Sequence, residues 1–233
     1  MESSASLPRV FRSAPPWRAG WCSLVLAVLS CGPALAQAAK KEAPAAVEKS
    51  AVVSSLTPEE LADFAANPAP VRRLIEKCLA LTKLNLRYQM RSADPAQGGM
   101  DCSGTVHHVL RECGVADVPR QSSEQYRWVW QKGGFRAFNG STMESFELAA
   151  LKPGDLLFWT GTYETDTRDP PVSHVMIYLG KTKKKARPVM FGASDGRYYD
   201  GKAHNGVSVF DFKLPKEGGK ARFIGYAPVP GLK

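Results

Sequence analysis

The chain has 233 residues, 23% of them charged and 44% hydrophobic, and its 31 Lys and Arg outweigh 22 Asp and Glu for a formal charge of +9. That length holds one domain with a full core plus a tail. No Cys or His pair has the close spacing of a zinc site, so no metal and no other cofactor is expected.

The N-terminus carries Arg9, Arg12 and Arg18, then the apolar run Trp21 to Leu29, then Ala34-Leu35-Ala36 before Gln37. This is the three-part layout of a secretory signal, so residues 1–36 read as a signal peptide and the mature chain as starting at Gln37. The run is too short for a permanent span. Val28-Leu29-Ser30-Cys31 loosely resembles a lipoprotein cleavage site, but Leu29 is unusual there, and a lipid anchor at Cys31 is the weaker route. Removing three arginines and one glutamate brings the charge from +9 to +7. A basic exported protein, in the periplasm or cell envelope, suits anionic wall or headgroup surfaces, and nucleic acid is not an expected partner outside the cytoplasm.

Residues 37–55, rich in Ala, Lys, Glu and Ser without an apolar period, read as a flexible linker ahead of one domain over 56–233. Thr57-Pro58-Glu59-Glu60 is a capping box that predicts a short helix. A second helix is predicted from Pro70 to Leu84, with Leu74, Ile75, Cys78, Leu79 and Leu81 on its buried face. After a polar loop, Gly99 to Gly104 drops into a helix reaching Cys113, with Gly114 placed for a left-handed cap. A short helix follows through Trp130. Strands are predicted at Leu156 to Thr160, His174 to Gly180, Val189 to Ala193, Val207 to Phe212 and Arg222 to Tyr226. Helices first and strands after make an α+β domain with an antiparallel sheet.

Cys102 falls in the first turn of its helix, where free amides and the helix dipole favour thiolate and can hold an oxyanion. A structural cysteine that happens to start a helix is the plain alternative. His174, at the start of a buried strand, is the residue to take the thiol proton, whereas His107, His108 and His204 lie in solvated settings. Cys78 and Cys113 read as reduced core residues rather than a disulfide.

Tyr88, the run Gly98 to Gly104, Val118-Pro119-Arg120-Gln121-Ser122-Ser123-Glu124-Gln125, Leu151 to Leu156, and Ser173 to Gly180 together resemble the NlpC family of bacterial cell-wall cysteine peptidases. The resemblance covers roughly residues 70–212 and implies a papain-like fold, helices packed on an antiparallel sheet. It implies hydrolysis of peptidoglycan stem peptides, typically between D-glutamate and a diamino acid, with Cys102 attacking and His174 shuttling the proton. It also implies that Tyr88, Asp101 and Ser103 bind the free amino end of L-Ala-D-Glu. The protein is expected to act as a monomer on peptidoglycan peptides.

One position departs from the family pattern. Where a polar residue usually orients the imidazole, this chain has Gly192. Ser194 shares its strand parity, while Asp195 is the better acceptor if the strand bulges, and Asp195 is the expected third catalytic residue. Ser194-Asp195-Gly196 also reads as a plain turn. Two other readings stay open: a silent wall-binding module, and an acyltransferase or amidase on the same fold.

Overall fold

The structure, a computed structural model, describes residues 50–165 and 168–232. The expected signal peptide, Cys31 and most of the expected linker lie outside the described residues. Ordered backbone begins sooner than Thr57. Val209 N–H donates to the Ser54 carbonyl, Asn205 N–H to that of Val52, and Ser54 Oγ to the Val209 carbonyl.

Thr57 caps as expected, its N–H donating to Glu60 Oε2 at 2.7 Å, yet only one 3₁₀ turn forms, Pro58–Glu60. Lys183 N–H donates to the Glu60 carbonyl and Ala62 N–H to that of Lys181. Groups that a helix would have bonded internally are taken by the hairpin tip, so the helix stops. Helix α1, Ala69–Thr82, buries the predicted Leu74, Ile75, Cys78, Leu79 and Leu81. Helix α2 runs Cys102–Glu112 and ends on Gly114 at φ +86, with Val115 N–H donating to the Leu110 carbonyl. Helix α3 spans Ser122–Gln131.

Two short parallel strands, β1 (Arg87–Tyr88) and β2 (Gly99–Met100), flank the approach to α2. The main sheet holds β3 (Arg136–Ala137), β4 (Leu156–Thr160), β5 (Val172–Lys181), β6 (Pro188–Tyr199), β7 (Lys202–Asp211) and β8 (Arg222–Ala227). Its order is β3-β8-β4-β5-β6-β7 and every pairing is antiparallel. Strands β6 and β7 run well past the predicted ends and meet at Asp200-Gly201, both at positive φ. That dipeptide is a hairpin turn signal, so Ser194-Asp195-Gly196 is strand rather than turn.

Alternate residues send their side chains to opposite faces of the sheet. Phe158, Val175, Ile177, Phe191 and Val209 pack under the helices with Val106, Val109 and Leu110. Leu157, Trp159, Met176, Met190 and Phe210 form a second core on the other face, joined by Phe138 and Phe212.

Asp155 closes the turn into β4, accepting from Lys152 N–H at 2.9 Å. Burial pushes its carboxyl up from the ordinary 3.8 to about 6. Because the folded state holds this proton more tightly than the unfolded chain, the stabilisation is present below pH ~4 and lost as pH rises through 6. A shift of that size corresponds to roughly 2–3 kcal/mol. Urea unfolding of Asp155→Asn and native protein should show the variant gaining about 2 kcal/mol on the native chain between pH 4 and pH 7. A pH-independent difference would contradict the burial argument.

Candidate active site

The first turn of α2 is held from three sides. Asp101 is its N-cap, with Oδ1 accepting Gly104 N–H at 2.6 Å. Asp101 N–H donates to the Ser92 carbonyl at 3.0 Å, laying the loop before it across the turn. A Cβ on Gly104 would lie 2.1 Å from that same Ser92 oxygen, so only glycine lets the loop come this close.

Asp101 is 5% exposed and needs a counter-ion there. Arg120, just before α3, supplies it as a two-pronged pair: Nη1 to Oδ1 at 3.0 Å and Nη2 to Oδ2 at 2.8 Å. Arg120 Nη1 also donates to Ser103 Oγ at 3.1 Å, and Ser103 Oγ to Asp101 Oδ1 at 3.3 Å. Counting acceptor sites, Oδ1 is saturated and Oδ2 keeps a free lone pair. Arg120 lies within the Val118 to Gln125 motif, and the counter-ion that a buried aspartate requires is the signal that marks it.

Cys102 opens α2 and is buried. The ladder between β5 and β6 ends at Ile177↔Phe191, and just past it the N–H of Val175 is given to the Cys102 sulfur. His174 is the next residue on β5, which starts two residues before it at Val172. Burial, with help from Asp101, pushes the Cys102 thiol up to about 11 against the opposing pull of the Val175 and Ser103 N–H groups and Arg120. The helix N-terminus therefore does not leave a thiolate at rest; desolvation outweighs it. His174 is pushed well below the ordinary imidazole range, by burial first and by Arg197 second. At rest the Cys102 thiol and the His174 imidazole are both neutral, and neutral imidazole is the form that accepts a proton.

A cleft of about 610 Å³ opens onto this turn, lined among others by Tyr88, Asp101, Cys102, Ser103, Arg120, Tyr163 and Arg168. Four of the six predicted site residues thus share one cavity. Burial is the first cause of the raised Tyr88 hydroxyl, followed by the negative charge of Cys102 and Asp101. His174 stands beside the cleft rather than on its wall, its ring 5.6 Å from that of Trp159. Asp195 is exposed on β6, and its charge is felt by Tyr88 and Arg197. His174 Nε2 is buried and has no hydrogen-bond partner among the described residues. Tyr163 and Arg168, which bond through the Tyr163 hydroxyl at 3.0 Å, came from a loop whose sequence carried no motif. Of the remaining histidines, His107 Nδ1 lies 2.9 Å from the Val118 carbonyl and His204 Nδ1 3.1 Å from that of Val52, so both rings hold backbone carbonyls.

Residues 85–202, just over half of the chain, match the sequence model of the NlpC/P60 family. No curated protein sequence matches. Among solved structures, a protein described as similar to lipoprotein, NLP/P60 family, from Staphylococcus aureus subsp. aureus Mu50 is 22% identical with a TM-score of 0.45. The alignment covers 70% of the present chain and 42% of that one, so this chain spans less than half its length.

Proposed function

The chain belongs to the NlpC/P60 family, a family of cell-wall peptidases in general, and from that premise we propose that it is an exported cysteine peptidase cutting peptidoglycan stem peptides between D-glutamate and the diamino acid. The observation that carries the reading is the Cys102 sulfur at the head of α2, held by the N–H of the residue next to His174. In the attack, the thiol proton passes to His174 as the sulfur adds to the scissile carbonyl; His174 then hands it to the leaving amine. With the Gly104 N–H taken by Asp101, the N–H of Cys102 itself at the head of α2 is the amide for the oxyanion. Water resolves the acyl-enzyme, with His174 again as base.

Substrate choice follows from Asp101. Tyr88, Asp101 and Ser103 line the cleft beside Cys102, and the open lone pair on Asp101 Oδ2 suits the ammonium of a free N-terminal L-Ala. Peptides still joined to glycan through that nitrogen lack the charge. Among the described residues no helix is long and apolar enough to cross a membrane, and we place the mature protein in the cell envelope as a monomer.

The test uses L-Ala-γ-D-Glu-diaminopimelate and mass spectrometry, with L-Ala-D-Glu as the expected product. An intact substrate after prolonged incubation at high enzyme concentration would overturn the reading in favour of a silent wall-binding module, the alternative that the partnerless Nε2 of His174 supports. The N-acetylated twin should be turned over with kcat/KM about tenfold lower, the small end of a charged hydrogen bond because Arg120 already neutralises Asp101. Equal turnover would remove Asp101 from amine recognition.

A further inference from the structure

Gly192 leaves His174 without the usual polar partner, and the space is not empty. A Cβ on Gly192 would lie 3.0 Å from Met176 Cγ, and Met176 is fully buried on the same face of the sheet. Its thioether chain fills the room a polar side chain would need, and Nε2 of the imidazole has no hydrogen-bond partner among the described residues.

A second irregularity brings a charge there instead. Strand β6 pairs Ser194 with Gly206 and Arg197 with His204, so two residues, Asp195 and Gly196, stand opposite the single Asn205. The extra residue reverses strand parity. Ser194 and Arg197 consequently share the face that carries Gly192, Met176 and His174. Arg197 spreads over Trp159, its guanidinium carbon 5.1 Å from the ring centroid, and that ring in turn lies 5.6 Å from His174. Burial lowers Arg197 to about 10, with the Cys102 sulfur and Asp195 opposing the loss of its proton. It stays charged at neutral pH. Of the charged groups, Arg197 on β6 acts on His174; Arg197 in turn feels Cys102 and Asp195, and β4 brings the Trp159 ring against the imidazole.

We propose that Arg197 is a positioning residue for the catalytic pair: stacked on Trp159 and turned inward by the bulge, its cation works with burial against positive charge on His174 and favours negative charge on Cys102. The proton taken from Cys102 sits on an imidazole with no acceptor at Nε2 and a cation close by. It therefore moves on readily to the leaving amine as the C–N bond breaks, and the sulfur is left in the thioester of the acyl-enzyme. In this acylation half no group other than the thiol, the imidazole and the scissile amide exchanges a proton or a bond; water enters only to resolve the acyl-enzyme.

The ring titration of His174 tests this without any substrate, so it stands apart from the peptidase assignment on which the leaving-amine step rests. The His174 ring signal is identified by its disappearance in His174→Ala and followed by NMR from pH 4.5 to 8.5. In native protein it should not titrate above pH 5. Arg197→Met, which keeps a long stem over Trp159 but no charge, should raise the midpoint by at least about one pH unit, whereas Arg197→Lys should leave it near native. Arg197→Gln serves as the charge deletion should the Met variant not fold. In active preparations the acid limb of kcat/KM should move upward with it. Identical His174 titration in native and charge-deleted protein, or an equal shift in Arg197→Lys, overturns the proposal.

Discussion

Cys102→Ser should be folded and inert, with kcat/KM on the stem peptide at least ~10⁴-fold below native, because an alcohol beside a neutral imidazole is a far weaker nucleophile than a thiol. Serine is the better deletion than alanine here. The Val175 N–H, donated to the sulfur, would lose its acceptor in Cys102→Ala, and an orphaned buried donor costs about 1–3 kcal/mol. The alanine variant should accordingly melt below the serine variant while sharing its inactivity. Product analysis and thermal melts on both separate chemistry from structure. Serine activity within tenfold of native would remove Cys102 as the nucleophile.

Gly104→Ala should be severely destabilising. The new Cβ would meet the Ser92 carbonyl oxygen at 2.1 Å and the Ala93 Cα at 3.0 Å, both backbone, with the Arg120 guanidinium at 3.0 Å on the third side. Nothing there can rotate away. Relief requires the loop to lift from α2, which breaks the bond from Asp101 N–H to Ser92 and disturbs the Arg120 pair. Overpacking against backbone on this scale costs roughly 3 kcal/mol or more. For a domain this size the melting temperature should fall by about 6–12 °C, and the cleft should lose its alignment with it. An unchanged melting temperature would show that the loop does not lie where it is described.

Much of this was legible in the chain because it is local. The apolar spacing of Leu74, Ile75, Cys78 and Leu79 carries α1, and Gly114 ends α2 where the sequence places it. Short-range chemistry also put Cys102 at the head of a helix. Expectations failed where distant segments compete. The helix after Thr57 is cut short because Lys181 and Lys183, over a hundred residues away, take its backbone partners. The thiolate expected from a helix dipole is suppressed by burial that only the packed sheet creates. Arg197 carried no signal in sequence, because a bulge shifts the parity of its strand and the aromatic ring beneath it comes from β4.

The strip of chain at 52–54 has a consequence beyond its length. Strand β7 is the last in the sheet, and its outward N–H and C=O groups would be a template for pairing with another molecule. Val52 and Ser54 occupy the groups of Asn205 and Val209, and the Leu86 carbonyl accepts from Val207 between them. What reads in sequence as the tail of a linker is thereby the seal on a sheet edge, and it keeps one copy of the domain from pairing edge to edge with another.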